Sequence, residues 1–549
     1  MRNLEGSKTT VYRREPLPTE PTKLHVGIFA PPLVEAFQPS LTLPYLSAQM
    51  KSFGFTPNCH NLSSLFYIWL FRRVRLESMD LYRQLRQAMA VLRESTRFYL
   101  PDDYHQALKY LEDYVATLAE KDNIPYTLYP ASQVSITSEG IDLSTLVKSM
   151  EGTLLEKFLL DYVGFTLQLE TFDVIGFSAN NTFQLISSIF IAKKLKQAKI
   201  PAHLLLGGHA VSIADPGILE NKELTGCFDS LVLSGGGDVF AQICDDLVNK
   251  RVKNIYKSCD VSSRYHQTKG IFPTESPYLI TLQHDINDLY LSPHQTFSIH
   301  SALGCNYGAC IFCSSNRKSA PYVPRDVRVL VDEIEWLQEH YQISHFNISD
   351  NNFSPDRAER LCDQLEKREK KIYWQCTSRV YDEFNMDLLK RMRKTGCVLI
   401  NVGLESGSDR ILKRMQKGYT VNQVKRMLLD MKEAKMPVHL YCICGFPGEK
   451  PEDSEKTILF LKEQIGQYHS IYFQDYDAQL TDKIFANELG TETQGCSAKH
   501  MMDILMKEPE CDRSFALHGN LMRRKGYPFI EDHNFLYLAK ELEFFNNDK

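Results

Sequence analysis

Cys305, Cys310 and Cys313 place three thiols within nine residues, in the run Gly304-Cys305-Asn306-Tyr307-Gly308-Ala309-Cys310-Ile311-Phe312-Cys313. Three thiolates on one loop suit a cubane 4Fe-4S cluster, holding three irons and leaving the fourth free to bind a substrate or cofactor. An open position of the same kind marks catalytic metal sites in general. The competing reading is a structural zinc site. That normally needs four ligands, and nothing near this loop repeats a Cys-x-x-Cys spacing.

The elements that must hold such a loop are legible from hydrophobic patterning. An apolar strand at about 296 to 303 runs into the cysteines, and further strands are expected at 345 to 349, 373 to 379, 398 to 404, 438 to 444 and 470 to 475. Helical periodicity fills the intervals at 325 to 341, 355 to 370, 385 to 394, 420 to 435 and 451 to 466. Six βα units in succession predict a parallel partial barrel over residues 295–480, with chemistry on the loops that follow the strands. Upstream, strands at 24 to 30, 56 to 62, 174 to 179, 203 to 206 and 230 to 233 alternate with helices. They predict a doubly wound, Rossmann-like α/β domain over 22–250, interrupted by a helical insertion at 63–168. Residues 1–21 read as a disordered lead-in, 251–294 as a linker and 481–549 as an extension on the substrate side. The insertion and the extension are the expected walls of a substrate cavity.

The length of 549 residues calls for two to four domains. With 68 acidic against 63 basic residues, the net charge of -5 supplies no field to draw in a nucleic-acid backbone. No segment reads as a signal peptide or a transmembrane span, so a cytoplasmic protein is expected. In that compartment 14 cysteines point to metal or redox work rather than to disulfides.

Taken together, the barrel motifs resemble the radical S-adenosylmethionine superfamily, which carries three cysteines after the first strand and an aromatic residue, here Phe312, before the third. Four residues rather than the commoner three separate Cys305 and Cys310. The resemblance implies a 4Fe-4S cluster on Cys305, Cys310 and Cys313, with S-adenosylmethionine on the open iron. It implies contacts to that cosubstrate from Phe312, from Asp350 in Ser349-Asp350-Asn351-Asn352, and from Arg379 in Ser378-Arg379. Glu405 and Ser406 in Gly403-Leu404-Glu405-Ser406-Gly407, and Gly445 in Ile443-Cys444-Gly445-Phe446-Pro447-Gly448-Glu449, complete the set. Glu449 also reads as a cap for the helix after Pro451.

The N-terminal domain resembles the cobalamin-binding domain that precedes many such barrels. The likeness rests on Pro44, Gly176-Phe177-Ser178, Gly207-Gly208-His209 and Ser234-Gly235-Gly236-Gly237-Asp238. It implies corrinoid contacts from Ser178, Gly207, Gly208, Ser234 and Gly235. An Asp-x-His-x-x-Gly motif for a lower axial histidine is missing, so binding without that ligand is expected. What the resemblance implies is a cobalamin-dependent methyltransferase acting through a 5'-deoxyadenosyl radical on an unactivated carbon of a natural-product, peptide or lipid substrate, supplied by an electron donor such as flavodoxin or ferredoxin. A non-methylating cyclisation or rearrangement is the alternative. A redox sensor, which needs a cluster but not the cosubstrate loops, is the alternative of another class.

Overall fold

The computed structural model describes residues 24–32, 42–124, 126, 128, 143–163, 169–213, 220–257, 290–313, 322–476, 492–508, 520–522 and 535–542. The lead-in and most of the expected linker and extension lie outside them.

The N-terminal sheet consists of β1 (Val26–Ala30), β2 (Asn58–Asn61), β3 (Val174–Ser178), β4 (His203–Gly207), β5 (Ser230–Val232) and β6 (Ile255–Tyr256). Their order is β2-β1-β3-β4-β5-β6, and every pairing is parallel. β1 and β3 are buried end to end because helices cover both faces, which is why they read as continuous apolar runs. Val26 and Ile28 pack under the helices Thr42–Ser52 and Gly237–Val248, while Phe29 and Phe177 pack under Thr182–Gln197 on the other face. β6 was not expected, since two residues are too few to show a period. Leu231 N donates to Asn254 O at 2.8 Å and Leu233 N to Tyr256 O at 2.9 Å, which carries the sheet past residue 250.

The insertion is helical as expected, over Leu62–Arg73, Met79–Arg93 and Pro101–Asp122. These helices build an aromatic core around Phe66, Phe98, Tyr104 and Phe158. The chain's last described helix, at 535–542, is buried in that core, where Tyr537 OH donates to Phe98 O at 2.5 Å.

The second sheet starts at β7 (Thr296–Ile299). A short antiparallel pair follows, β8 (Ala302–Leu303) with β9 (Val323–Pro324). Then come β10 (His345–Ile348), β11 (Tyr373–Ser378), β12 (Cys397–Glu405), β13 (Val438–Cys444) and β14 (Ser470–Asp475), with β15 (Asn520–Met522) antiparallel on the edge. The order β15-β14-β13-β12-β11-β10-β7 leaves β7 and β14 unjoined, so the six parallel strands form a partial barrel. Helix ends follow local chemistry. Thr420 and Gln423 form a reciprocal capping box on Val421–Glu433, and Val327–Tyr341 stops at Gln342 in the left-handed region. The strand expected over 296 to 303 is split after Ile299, because the backbone N–H groups of Ser301 and Ala302 turn away to the Asp350 carboxylate. Among the described residues no helix is long and apolar enough to cross a membrane.

Candidate active site

The cysteine loop leaves the carboxyl end of the first barrel strands and is fastened to a turn far along the chain. Ile311 N donates to Met415 O at 3.3 Å, and Tyr307 OH donates to Gln416 O at 2.7 Å. The turn bends through Gln416 and Gly418, both at positive φ, and a Cβ on Gly418 would lie 2.4 Å from Tyr307 OH. Arg379, at the end of β11, stacks its guanidinium 3.7 Å from the Tyr307 ring centroid and donates to Lys417 O.

All three thiols are half-buried and unbridged. Gly308 N donates to Cys305 Sγ at 3.4 Å. Burial pushes the Cys310 thiol up to about 11, and the Lys417 ammonium pulls against that rise. Such a thiol ionises readily only beside added positive charge, which the irons of a cluster provide. Among the described residues no three His, Cys, Asp or Glu side chains converge closely enough to hold one metal ion. A cubane spreads three thiolates over three irons, and three half-buried thiols on one loop suit that donor set.

Beside this loop a cavity of about 270 Å³ opens at the mouth of the barrel, lined by Phe312, Asn351, Arg379, Glu405, Lys417 and Tyr441 among others. Lys417 Nζ meets Glu405 Oε1 at 2.9 Å, with side chains only 7% and 11% exposed. Burial works to lower the Lys417 ammonium, but Glu405 and its other neighbours hold it well above its ordinary value. Glu405 itself has φ of 61°, and a Cβ on Gly403 would lie 2.3 Å from its Oε1, so the end of β12 is shaped around this carboxylate. Arg379 Nε is buried and has no hydrogen-bond partner. An arginine in the lining of this cavity suits a carboxylate-bearing ligand such as S-adenosylmethionine.

Phe312, Arg379 and Glu405 therefore line the barrel cavity, and three other expected residues do not. Asp350 is turned inward, accepting hydrogen bonds from Ser301 N at 2.7 Å and Ala302 N at 3.0 Å and from the Ser301 hydroxyl. With its oxygens so occupied it positions the strand end before the cysteine loop, and its neighbour Asn351 faces the cavity instead. Ser406 is fully buried and bonded to Ser408 N at 3.2 Å and to the Thr457 hydroxyl at 3.3 Å. Gly445 lies outside the lining and is needed for its turn, at φ of 67°. Glu449 accepts from Phe446 N at 3.0 Å and from the Ser454 hydroxyl at 2.9 Å, tying the β13 loop to the following helix.

The N-terminal sheet carries a second cavity, of about 350 Å³, at the carboxyl ends of its strands, where doubly wound sheets bind ligands. Ser178, Gly207, Gly208 and Gly235 line it, and Gly236 takes the place expected for Ser234. Gly208 is obligatory, because at φ of 108° a Cβ would lie 2.2 Å from Ala179 O. This floor of small residues is an apt cradle for a broad, flat ligand. His209 lies at the lip, with its backbone N 3.3 Å from Asn180 Oδ1. No residue of the 63–168 insertion lines either of these two cavities among the described residues. Its apolar surface packs in a core shared with one face of the N-terminal sheet and the 535–542 helix.

Sequence reasoning assigned no role to Lys417, Tyr45 or His300. Lys417 follows the Glu405 segment in the chain, but nothing in the sequence shows that the two side chains pair. Tyr45 and His300 line the N-terminal cavity together, with ring centroids 6.4 Å apart, although they belong to different domains. A histidine ending an apolar strand just before the cysteine loop was the one available signal.

Comparison with known proteins agrees with this arrangement. Residues 299–461 match the radical SAM superfamily, so the chain carries a radical SAM domain, which implies a 4Fe-4S cluster and S-adenosylmethionine as cofactors. The chain is 26% identical over 305 residues to an uncharacterized methyltransferase of Pyrococcus horikoshii, covering 53% of this chain and 64% of that protein. It is 28% identical over 192 residues to the anaerobic magnesium-protoporphyrin IX monomethyl ester cyclase of Rubrivivax gelatinosus, covering 33% of this chain and 34% of that one. The chain thus spans less than two thirds of the length of either relative. Among solved structures, the cobalamin-dependent S-adenosylmethionine radical enzyme OxsB, with aqua-cobalamin and S-adenosylmethionine bound, aligns with a TM-score of 0.50 at 14% identity. That alignment covers 96% of this chain and 67% of that one, and shows a shared fold.

Proposed function

We propose that the protein is a cobalamin-dependent radical S-adenosylmethionine methyltransferase acting on an unactivated carbon. The observation that supports this reading is that each parallel sheet carries a cavity at the carboxyl ends of its strands, one beside the cysteine loop and one floored by small residues. His300 lines the N-terminal cavity, and Cys305 begins the cluster loop five residues later. When bound, the cluster and S-adenosylmethionine supply a 5'-deoxyadenosyl radical and the corrinoid supplies a methyl group.

The chain's own residues bind, orient and exclude water. Cys305, Cys310 and Cys313 hold the cluster, and Phe312 and Tyr441 wall the barrel cavity. Arg379 offers its guanidinium to the cosubstrate carboxylate, and the Glu405–Lys417 pair fixes the floor beside it. The glycines of β4 and the loop after β5 leave room for the corrinoid. No protein general base is needed for hydrogen abstraction by a carbon radical, and none is assigned. The substrate is a small molecule, peptide or lipid, and a soluble electron donor of the flavodoxin or ferredoxin kind completes the system.

Anaerobically reconstituted protein should hold about four irons per chain and form 5'-deoxyadenosine under strong reduction, and Cys310→Ala should lose both. With substrate and S-adenosylmethionine carrying a labelled methyl group, the product should gain one labelled methyl. One S-adenosylhomocysteine should accompany each 5'-deoxyadenosine. The likeness to a cyclase favours a second reading, a non-methylating cyclisation, which would yield 5'-deoxyadenosine with neither homocysteine product nor mass gain.

A further inference from the structure

We infer that the barrel carries a second ligand site at the end opposite the cysteine loop, and that it takes an amphiphilic organic anion, a molecule with an apolar body and a phosphate or carboxylate head. The site is independent of the methyl-transfer reading, since it shares no lining residue with either cavity described above.

A cavity of about 740 Å³ opens there, within the size range of small-molecule sites. Its floor is set by the amino ends of β13 and β14, where His469 N donates to Val438 O at 2.7 Å. One wall is the end of the helix Met386–Lys394, a second is the end of Val421–Glu433 with the turn after it, and a third is the 535–542 helix. Elements distant in sequence thus meet around a space that none of them fills. Chemistry in parallel barrels belongs to the carboxyl face, so a ligand at this face acts on the fold and is not a second substrate.

The lining divides into two parts. Met436, Val438, Leu538 and Leu542 are buried and apolar. Lys390, Arg393, Lys394, Lys432 and Lys435 stand against Glu433 and Glu541, five cations to two carboxylates. Basic residues at helix C-termini also offset the macrodipole, but each helix end carries only about half a negative charge. The two helix ends here therefore leave an excess of about two positive charges facing the cavity. Arg393 is half-buried, its Nη1 donates to Cys397 O at 2.8 Å, and burial holds its guanidinium below the ordinary range. An anionic head beside a partly desolvated guanidinium is held more strongly than on open surface, and the planar fork matches phosphate or carboxylate. The apolar floor favours an anion with an apolar body over a bare inorganic one.

Isothermal titration calorimetry of the full chain with naphthyl phosphate tests the site, with naphthol as the uncharged counterpart. The wild type should bind the phosphate, and bind naphthol roughly tenfold more weakly. Lys390→Glu with Lys394→Glu, both exposed at the rim, should lower affinity for the phosphate roughly tenfold with little change in melting temperature. Lys121→Glu with Lys250→Glu makes the same charge change at exposed positions of the N-terminal domain and should leave that affinity unaltered. Amide hydrogen exchange of the wild type should slow at residues 434–438 and 535–542 when naphthyl phosphate is added. No binding, equal binding of naphthol, an equal loss in both double variants, or slowed exchange confined to the N-terminal sheet would each overturn the assignment. If the rim variant does not fold, the naphthol comparison and the exchange pattern of the wild type decide.

Discussion

Replacing Lys417 by Met removes one half of a buried ion pair and leaves the other half behind. The Glu405 carboxylate is 11% exposed, lies 2.9 Å from Nζ, and has its backbone held at φ of 61° at the end of β12, so it has little freedom to swing into water. Breaking a buried pair by deleting one partner costs about 3–5 kcal/mol, because the survivor is an uncompensated charge. The lost ammonium also sat 5.5 Å from the centroids of both Phe312 and Tyr419. At about 2–4 °C per kcal/mol for a domain of this size, melting of the barrel should fall by roughly 10 °C. The same change should lower iron content, since the 415–418 turn that clasps the cysteine loop contains Lys417. The double variant Glu405→Gln with Lys417→Met removes both charges, and most of the lost stability should return, because neutral replacement of a buried pair is often harmless. Anaerobic thermal unfolding followed by circular dichroism, with iron analysis of each variant, measures both effects. If Lys417→Met melts with the wild type, or if the double variant is as unstable as the single one, the buried-charge argument is wrong.

Ser212 is exposed at the mouth of the N-terminal cavity, so Ser212→Trp should abolish hydroxocobalamin uptake with little change in melting temperature. Gly208→Trp, by contrast, should fail to fold, because its Cβ would overlap Ala179 O, and a folded Gly208→Trp protein in an expression and melting assay would contradict that. Arg379→Lys keeps the charge but loses the planar stack on Tyr307, and KM for S-adenosylmethionine should rise about tenfold or more in a 5'-deoxyadenosine assay. His439 is half-buried on β13, and its partial burial lowers it to about 4 against an unfolded value near 6.5. Its neutral form therefore stabilises the fold fully above about pH 6.5, and that contribution is lost as pH falls towards 4, because the unfolded chain binds the extra proton. Melting temperature should drop through this window by an amount corresponding to about 3 kcal/mol at its acid end, and His439→Gln should flatten that drop.

The spacing of Cys305, Cys310 and Cys313, and the alternation of strand and helix around them, determined the class of chemistry without coordinates. Such signals are local, since three thiols on one loop and an apolar run ended by glycine keep their meaning in any packing of the domains. Phe312, Arg379, Glu405 and the glycines at the β4 and β5 ends were expected from the family resemblance, and the structure puts them in the lining of a cavity. β6 was illegible because a two-residue strand has no period and exists only by pairing with β5.

The choice between Asp350 and Asn351 was also beyond the sequence. Adjacent residues leaving a strand point to opposite sides, and only the pairing of β10 with β7 places Ser301 where it captures the Asp350 carboxylate. Lys417 is separated from Cys310 by more than a hundred residues, and His300 meets Tyr45 from another domain. Charge coupling and a shared cavity wall are properties of distances between side chains, which the tertiary structure alone sets.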